Sequence, residues 1–361
     1  MKLLINAPIN ALSFGNVSVN ILKEFYKKEI DLCFFPLGDK TQMEAFDKSS
    51  KDFLRYLQNA TTNRYKKINK DLPSLKLWHI LGSETRYTPN QSLLTFHETS
   101  EVTETEKNLL SLQNNIFVTS NYTKNNFEIN GIENVHFVPL GFDEDFYETN
   151  KEYIPEKIHF GLMGKFEKRK NTSRIIEKWL KIFGNNPKYL LSCAITNPFL
   201  DKSIIQNEII KITKGKVYNN LNFVPYMQTN SDVNEFINSI DIDLTGLSGG
   251  EGWNLPAFNA TALGKWSVVM NATAHKDWAT KENSILIEPS KLKDSDDGIF
   301  FKKGNQTNQG QFFDITDDEM ESAIIESSSK AKQPNPEGKK LQKQFTYSDT
   351  AETILKALKE Q

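Results

Sequence analysis

The chain predicts an α/β fold of two doubly wound parallel sheets, and three observations carry that expectation. Short apolar runs of strand length alternate with longer mixed segments of helical length, which is the rhythm of parallel strands joined by crossover helices. The rhythm stops once, across the acidic and aromatic stretch 141–157, and then restarts. At 361 residues the chain is also too long for one ordinary core and suits two domains of roughly 150 residues each.

In the first half, KLLIN, IDLCFFPL, LKLWHIL, SLLTF, NIFVTS and VHFVPLG read as buried strands. Between the first two, Val17 to Lys28 sets Val17, Ile21, Phe25 and Tyr26 on one helical face, and 41–70 is long enough for one or two further helices. The first sheet closes near Pro139. After the connector, IHFGLMG, YLLSCAIT, LNFVPY, IDIDLTG, WSVVMN and SILIEP form a second strand series, with helices expected near 171–184, 200–213, 231–239 and 255–263. Segment 291–315 is charged and rich in Gly, Asn and Gln, and reads as an excursion or hairpin; 327–340 reads as a loop. Residues 348–360 have the pattern of an amphipathic helix that packs back on the first domain. The expected organisation is a first domain over 1–150, a second over 151–345 and a terminal helix over 346–361.

Composition narrows the function. A formal net charge of -2 supplies no global basic field, so a polyanion would have to be held by a local patch. Cys33 and Cys193 each lie in an apolar run, the pattern of buried thiols in a reducing compartment, and the expected location is cytoplasmic. Met1 to Ile5 lacks the pattern of a signal peptide, and no run approaches the ~20 apolar residues of a membrane span.

Ligands of open α/β sheets bind beyond the carboxyl ends of the strands, so the loops that follow strands are the informative ones. NAPINALSFGNVSVN has Gly15 in a loop ahead of a helix expected to start near Asn16, where free amides meet a phosphate or a small residue merely eases a turn. FHETSEVT places His97 just past a strand, either as a hydrogen-bonded structural residue or as a group that positions a sugar hydroxyl. No second His or Cys stands at ligand spacing from His97, so no metal site is expected there. GLMGKFEKRKN sets Lys165, Lys168, Arg169 and Lys170 beside a glycine, cations placed to neutralise a departing diphosphate. In SGGEGWNLPAFNATALGKWSVVMN, Gly249, Gly250 and Gly252 let backbone approach a ligand, the following helix start offers amides, and Glu251 accepts hydroxyl donors. That inventory fits a sugar phosphate.

Asp241 and Asp243 have the spacing of a metal-binding acid pair, but they alternate with Ile240, Ile242 and Leu244 and read better as strand. GxxxxGK[ST] and a complete GxGxxG are absent, which argues against an ATPase and an ordinary dehydrogenase.

Over nearly its whole length the sequence resembles the GT-B glycosyltransferases, specifically the retaining family 4 type. GEGWNLPAFNATALGKWSVV is similar to that family's EGFGLPxxEAMAxGxPVV, and MGKFEKRKN to its GRxxxRKG. SNYTKNNFEINGIENVHFVPLGFDEDFY resembles the stretch that closes the family's first domain, and Gly15 and His97 match weaker positions. The resemblance implies two Rossmann-like domains facing a cleft, with the acceptor on the first and a nucleotide-sugar donor, a UDP-sugar favoured, on the second. It implies that Lys165 and Lys170 grip the diphosphate, that Glu251 binds donor-sugar hydroxyls, and that the backbone from Gly252 through Trp253, Asn254 and Leu255 contacts sugar and phosphate. His97 would sit on the sugar's other side, and Gly15 and Gly250 would belong to donor-binding loops.

Two positions depart from the pattern. Lys165 stands where the family usually has Arg, a point charge in place of a planar fork. The family's second acid, which accepts the ribose hydroxyls, is Asn259 here, with one acceptor oxygen and a donor nitrogen. Trp253 is either a platform for sugar or acceptor, or packing behind the loop. The implied reaction is a metal-independent hexosyl transfer that retains configuration, with the nucleotide sugar as co-substrate and no cofactor. The acceptor hydroxyl belongs to a glycan, lipid, protein or modified DNA; the alternatives are a viral enzyme acting on hydroxymethylated bases and a non-catalytic sugar-nucleotide binder.

Overall fold

The computed structural model describes residues 1–38, 40–149 and 151–360. The expected domain boundary at Asn150 and the terminal residue Gln361 lie outside the described residues. The first half runs β1 (Lys2–Pro8), α1 (Ser13–Lys27), β2 (Asp31–Leu37), α2 (Lys51–Thr62), α3 (Arg64–Lys67), β3 (Ser74–Leu77), β4 (Gln91–Thr95), α4 (Glu104–Leu110), β5 (Ile116–Val118), α5 (Asn121–Ile129) and β6 (Val135–Phe137). Its sheet is wholly parallel in the order β2-β1-β3-β4-β5-β6.

The second half runs β7 (Ile158–Met163), α6 (Thr172–Phe183), β8 (Tyr189–Ala194), α7 (Lys202–Thr213), β9 (Leu221–Phe223), α8 (Asn230–Ser239), β10 (Ile242–Asp243), α9 (Leu255–Ala262), β11 (Trp266–Met270) and β12 (Ser284–Ile287). These strands form a second parallel sheet, β12-β11-β10-β7-β8-β9. Both orders are doubly wound, and each reverses direction at one place: between β1 and β3 in the first sheet, between β7 and β10 in the second.

The helices form where apolar residues recur at helical spacing. In α6, Ile175, Ile176, Trp179, Leu180 and Phe183 make one stripe that packs on Phe160, Leu162 and Leu191 of β7 and β8. Fully burying each such side chain stabilises by ~1.5–3 kcal/mol. In α1 the stripe is Val17, Ile21, Leu22 and Phe25, packed with Leu3 and Ile5 of β1. Cys33 and Cys193 are both buried and free. No helix among the described residues is long and apolar enough to cross a membrane.

Segment 291–315 is a hairpin, β13 (Lys291–Asp294) paired antiparallel with β14 (Gln311–Asp314). Beyond it come α10 (Asp317–Ser327), α11 (Pro336–Gln344) and α12 (Tyr347–Lys359). The expected loop 327–340 is thus helical from Pro336, because Asn335 caps the turn by accepting from Gly338 N, and Pro336 suits the first helical position. Helix α12 lies on α1: Lys28 pairs with Glu352 at 2.6 Å, and Thr350 Oγ1 donates to Pro139 O at 2.7 Å. The run LKLWHIL leaves the sheet early. β3 ends at Leu77, and Trp78 and His79 lie in the loop beyond it. Lys76 is buried, and its ammonium donates to Gly82 O, Thr85 O and Thr85 Oγ1, tying that loop down.

Candidate functional site

The carboxyl ends of the two sheets meet. Thr119, just past β5, donates to Gly252 O at 2.5 Å, and the Asn121 amide donates to Asp277 at 2.8 Å. A Cβ at Gly252 would lie 2.9 Å from Phe96 Cβ, and one at Gly250 would lie 2.5 Å from the Phe312 ring. The loop glycines therefore let the first domain and the hairpin close in, where the sequence reading had them admit a ligand.

Against this seam the structure gathers a nest of charge. The loop after β7 turns at Gly164, with φ +135°, and starts α6 from the left-handed Asn171, whose amide donates to Leu247 O at 2.8 Å. Between them, the Lys170 ammonium reaches Glu251 Oε1 at 2.7 Å, and Lys165 reaches Glu167 at 3.1 Å. Arg169 lies in the middle, buried, with Glu251 and Glu167 each at 3.2 Å and Glu98 at 3.6 Å, and it donates to Gly250 O. Burial alone would push the Glu251 carboxyl up, but Arg169 and Lys170 together hold it well below the usual carboxylate range. Glu167 is likewise held low, burial being outweighed by Arg169, Lys165 and Lys170.

Behind the nest, Glu251 N donates to Thr273 Oγ1 at 3.1 Å. Asn254, left-handed at φ +68°, precedes α9; its amide donates to Thr245 O at 3.1 Å and to His275 Nε2 at 3.0 Å. His275 Nδ1 donates to Met270 O at 2.8 Å, so the ring is neutral, and burial pushes its pKa down to about 4. Leu255 and Pro256 then open α9 beside the nest.

The hairpin spans the seam. Lys293 donates to Asn171 Oδ1 at 2.7 Å, Lys165 lies 5.1 Å from the Phe300 ring centroid, and Arg169 lies 5.9 Å from that of Phe301. Farther out, Asn308 N donates to Glu106 Oε1 at 2.9 Å, and Thr103 Oγ1 donates to Gln306 O at 2.7 Å.

Lys165, Lys170, Gly250, Glu251, Asn254 and Leu255 are thus brought together, and other expected residues are not. Gly15 sits inside the first turn of α1, which begins at Ser13 and not near Asn16; a Cβ there would collide with Asn10, so the residue serves packing of the preceding loop. The Trp253 ring is 2 % exposed among Phe258 and Phe345, which settles its side chain as packing behind the loop and not a platform. The His97 ring is buried against Phe127, with Nε2 3.3 Å from Thr99 Oγ1 and 3.9 Å from Glu106; its Nδ1 has no partner among the described residues. Asn259 is buried in α9, its Oδ1 also without a partner there. Asp241 accepts from His159 N at 2.8 Å and Asp243 from Thr245 Oγ1 at 2.5 Å, so both acids brace local backbone. Sequence reasoning passed over Arg169 as one cation of a run; its signal was its place between Lys168 and Lys170. Glu98 and Glu167 carried no signal beyond adjacency to His97 and to the basic run.

No family model matches the sequence, and no curated protein matches it. Solved structures do. The chain superposes on sucrose-phosphate synthase from Thermosynechococcus elongatus with a TM-score of 0.68 at 12% identity, over 100% of this chain and 98% of that one. The fold is GT-B. Trehalose-6-phosphate synthase superposes with a TM-score of 0.66 at 11% identity, covering 100% and 99% of the two chains. HepE from Anabaena, solved with UDP-glucose, gives 0.64 at 12% identity over the full length of both. In this GT-B chain the charged nest lies at the switch point of the second sheet, where doubly wound folds hold ligands.

Proposed function

We propose that the protein is a retaining glycosyltransferase that moves a hexose from a UDP-sugar to a hydroxyl acceptor without a metal ion. The observation that carries this reading is the Lys165, Arg169, Lys170 and Glu251 nest at the start of α9, facing the other domain. Three cations there stand against three carboxylates, Glu98 among them, so the nest is neutral when empty. An arriving diphosphate takes over Lys170 and Lys165, and Glu251 turns from ion pair to acceptor of sugar hydroxyls. The UDP-glucose held by HepE supports the choice of donor.

Bond breaking puts negative charge on the leaving diphosphate, and cations fixed at that point lower the barrier without reorganising. No side chain in the nest is placed as a free nucleophile, since Glu251 is held by two cations; same-face attack follows, with the leaving phosphate accepting the acceptor's proton. The test is turnover of UDP-glucose. Lys170→Ala should lower it by about 10² or more while UDP still binds. A folded wild type that binds UDP and never turns over the donor would be a sugar-nucleotide binder instead.

A further inference from the structure

The wall opposite the nest is aromatic. Phe14 in the first turn of α1, Trp78 and His79 just past β3, and Phe96 just past β4 converge there. Ring centroids stand at 4.6 Å for Phe14 and His79, 4.6 Å for Phe14 and Phe96, 5.7 Å for Phe14 and Trp78, and 5.2 Å for Trp78 and His79. These segments straddle the switch point of the first sheet, and Phe96 touches the donor loop at Gly252. His79 is near enough to Lys165 that crowding of the ring and then that charge push it down to about 4, leaving a neutral imidazole. Phe14, Trp78 and Phe96 are half-buried and His79 is exposed. Among the described residues neither the His79 ring nitrogens nor the Trp78 indole N–H has a hydrogen-bond partner.

We infer that this wall is the acceptor site and that the acceptor is a carbohydrate: a sugar ring laid against Phe14, Trp78 and Phe96, with a hydroxyl on His79. The inference rests on the glycosyltransferase reading and names its acceptor. A sugar ring offers a face of C–H groups to an aromatic surface and a rim of hydroxyls to groups beside it, which is what this wall presents. The rings meet at 42°, 64°, 54° and 76°, so no parallel pair forms a slot for a flat base. The cation facing the wall, Lys165, is committed to the donor's diphosphate and so is not free to hold a polyanionic acceptor as well. An alkyl chain would bury the free nitrogens unpaired. In the transfer, the acceptor oxygen bonds to the donor's anomeric carbon as the bond to UDP breaks; UDP leaves with the electron pair and its phosphate takes the acceptor's proton. His79 accepts from a neighbouring hydroxyl and orients the ring.

Saturation-transfer NMR with the methyl glycosides of glucose, galactose and mannose, in the presence of UDP, tests this, alongside calorimetry of UDP alone. Sugar protons should take up saturation from the wild type, and Trp78→Ala should weaken that binding about tenfold or more with UDP affinity unchanged. Phe14→Leu gives the same reading if Trp78→Ala does not fold. His79→Phe keeps the aromatic surface and should raise the acceptor KM more than it lowers kcat. If UDP binds and UDP-glucose turns over while no glycoside touches the wall, or while hydroxymethylated DNA or diacylglycerol is the better acceptor, the inference falls and the donor reading stands. If UDP itself does not bind the wild type, both fall.

Discussion

Where the second sheet reverses, between β7 and β10, the chain gathers Lys165, Glu167, Arg169, Lys170 and Glu251; where the first reverses, between β1 and β3, it gathers Phe14, Trp78 and His79. The same topological feature holds opposite chemistries. The charged side is already paired, so on the proposed reading a donor displaces internal ion pairs, and affinity there is the difference between two sets of charge-assisted contacts. On the aromatic side, among the described residues, the Trp78 and His79 nitrogens have no hydrogen-bond partners to release, so a ligand gains contact and loses little beyond hydration, which gives weaker binding with less geometric demand. The proposed transfer would be served by this asymmetry, because a donor is gripped through charge development and an acceptor leaves as product.

The largest expected effect breaks the charged side. Arg169→Met leaves Glu98, Glu167 and Glu251 around an apolar side chain, with Glu167 and Glu251 buried. Breaking a buried pair this way costs about 3–5 kcal/mol. Trp78→Ala, at a half-buried position, should cost clearly less. Urea midpoints of the two variants check the contrast, and equal losses would mean that the nest is no more tightly balanced than the wall.

The two regions also differ in how far the sequence discloses them. Lys165 through Lys170 are one run and Gly250 through Leu255 another, so local spacing was enough to place the charged side. Alternating apolar runs were likewise enough for two parallel sheets, since a strand buried on both faces must be apolar throughout. The wall is assembled from residues 14, 78, 79 and 96, which no local pattern connects, and Trp78 and His79 were read inside a strand that in fact ends at Leu77. Helix α11 was missed for a related reason: Ser, Lys, Gln and Pro around 327–340 look like loop until the Asn335 cap is seen to hold the turn. Gly15 and Trp253 stayed open between binding and packing in the sequence, because a glycine or a tryptophan beside a site serves packing as readily as binding.

Two histidines sharpen the comparison, since each side has one pushed down to about 4. His275 is wholly buried: burial and Lys170 oppose its protonation, Glu251 and the Met270 carbonyl favour it, and burial dominates. An unfolded histidine titrates near 6.5, so between there and about 4 the unfolded chain binds a proton that the folded chain does not. Stability should therefore be full above about pH 6.5 and fall as pH drops toward 4, by up to about 3 kcal/mol from this residue. His79 is pushed down to about the same value, so by the same linkage it adds to the slope, but less, because it is exposed in the cleft where solvent screens it. Urea titrations from pH 7.5 to 4.5 check this. His275→Gln should flatten the slope most and His79→Phe less, whereas a slope unchanged by His275→Gln would place the acid sensitivity elsewhere.

The smallest expected effect refines the charged side. Asn259 stands in the middle of α9, buried, and its Oδ1 receives no hydrogen from the described residues. A buried acceptor without a donor is costly unless a ligand supplies one, and a ribose hydroxyl is the donor that a UDP-sugar would bring. Asn259→Glu then offers two acceptor oxygens in place of one and should tighten UDP binding by about 1 kcal/mol through a charge-assisted hydrogen bond. Ribose contacts are made equally in ground and transition states, so KM should fall and kcat should hold. The aromatic wall should not register the change, leaving the acceptor KM where it was. Calorimetry of UDP against both proteins decides the matter: weaker binding by Asn259→Glu would mean that the carboxylate is buried without a donor, and that this turn of α9 does not face the ribose.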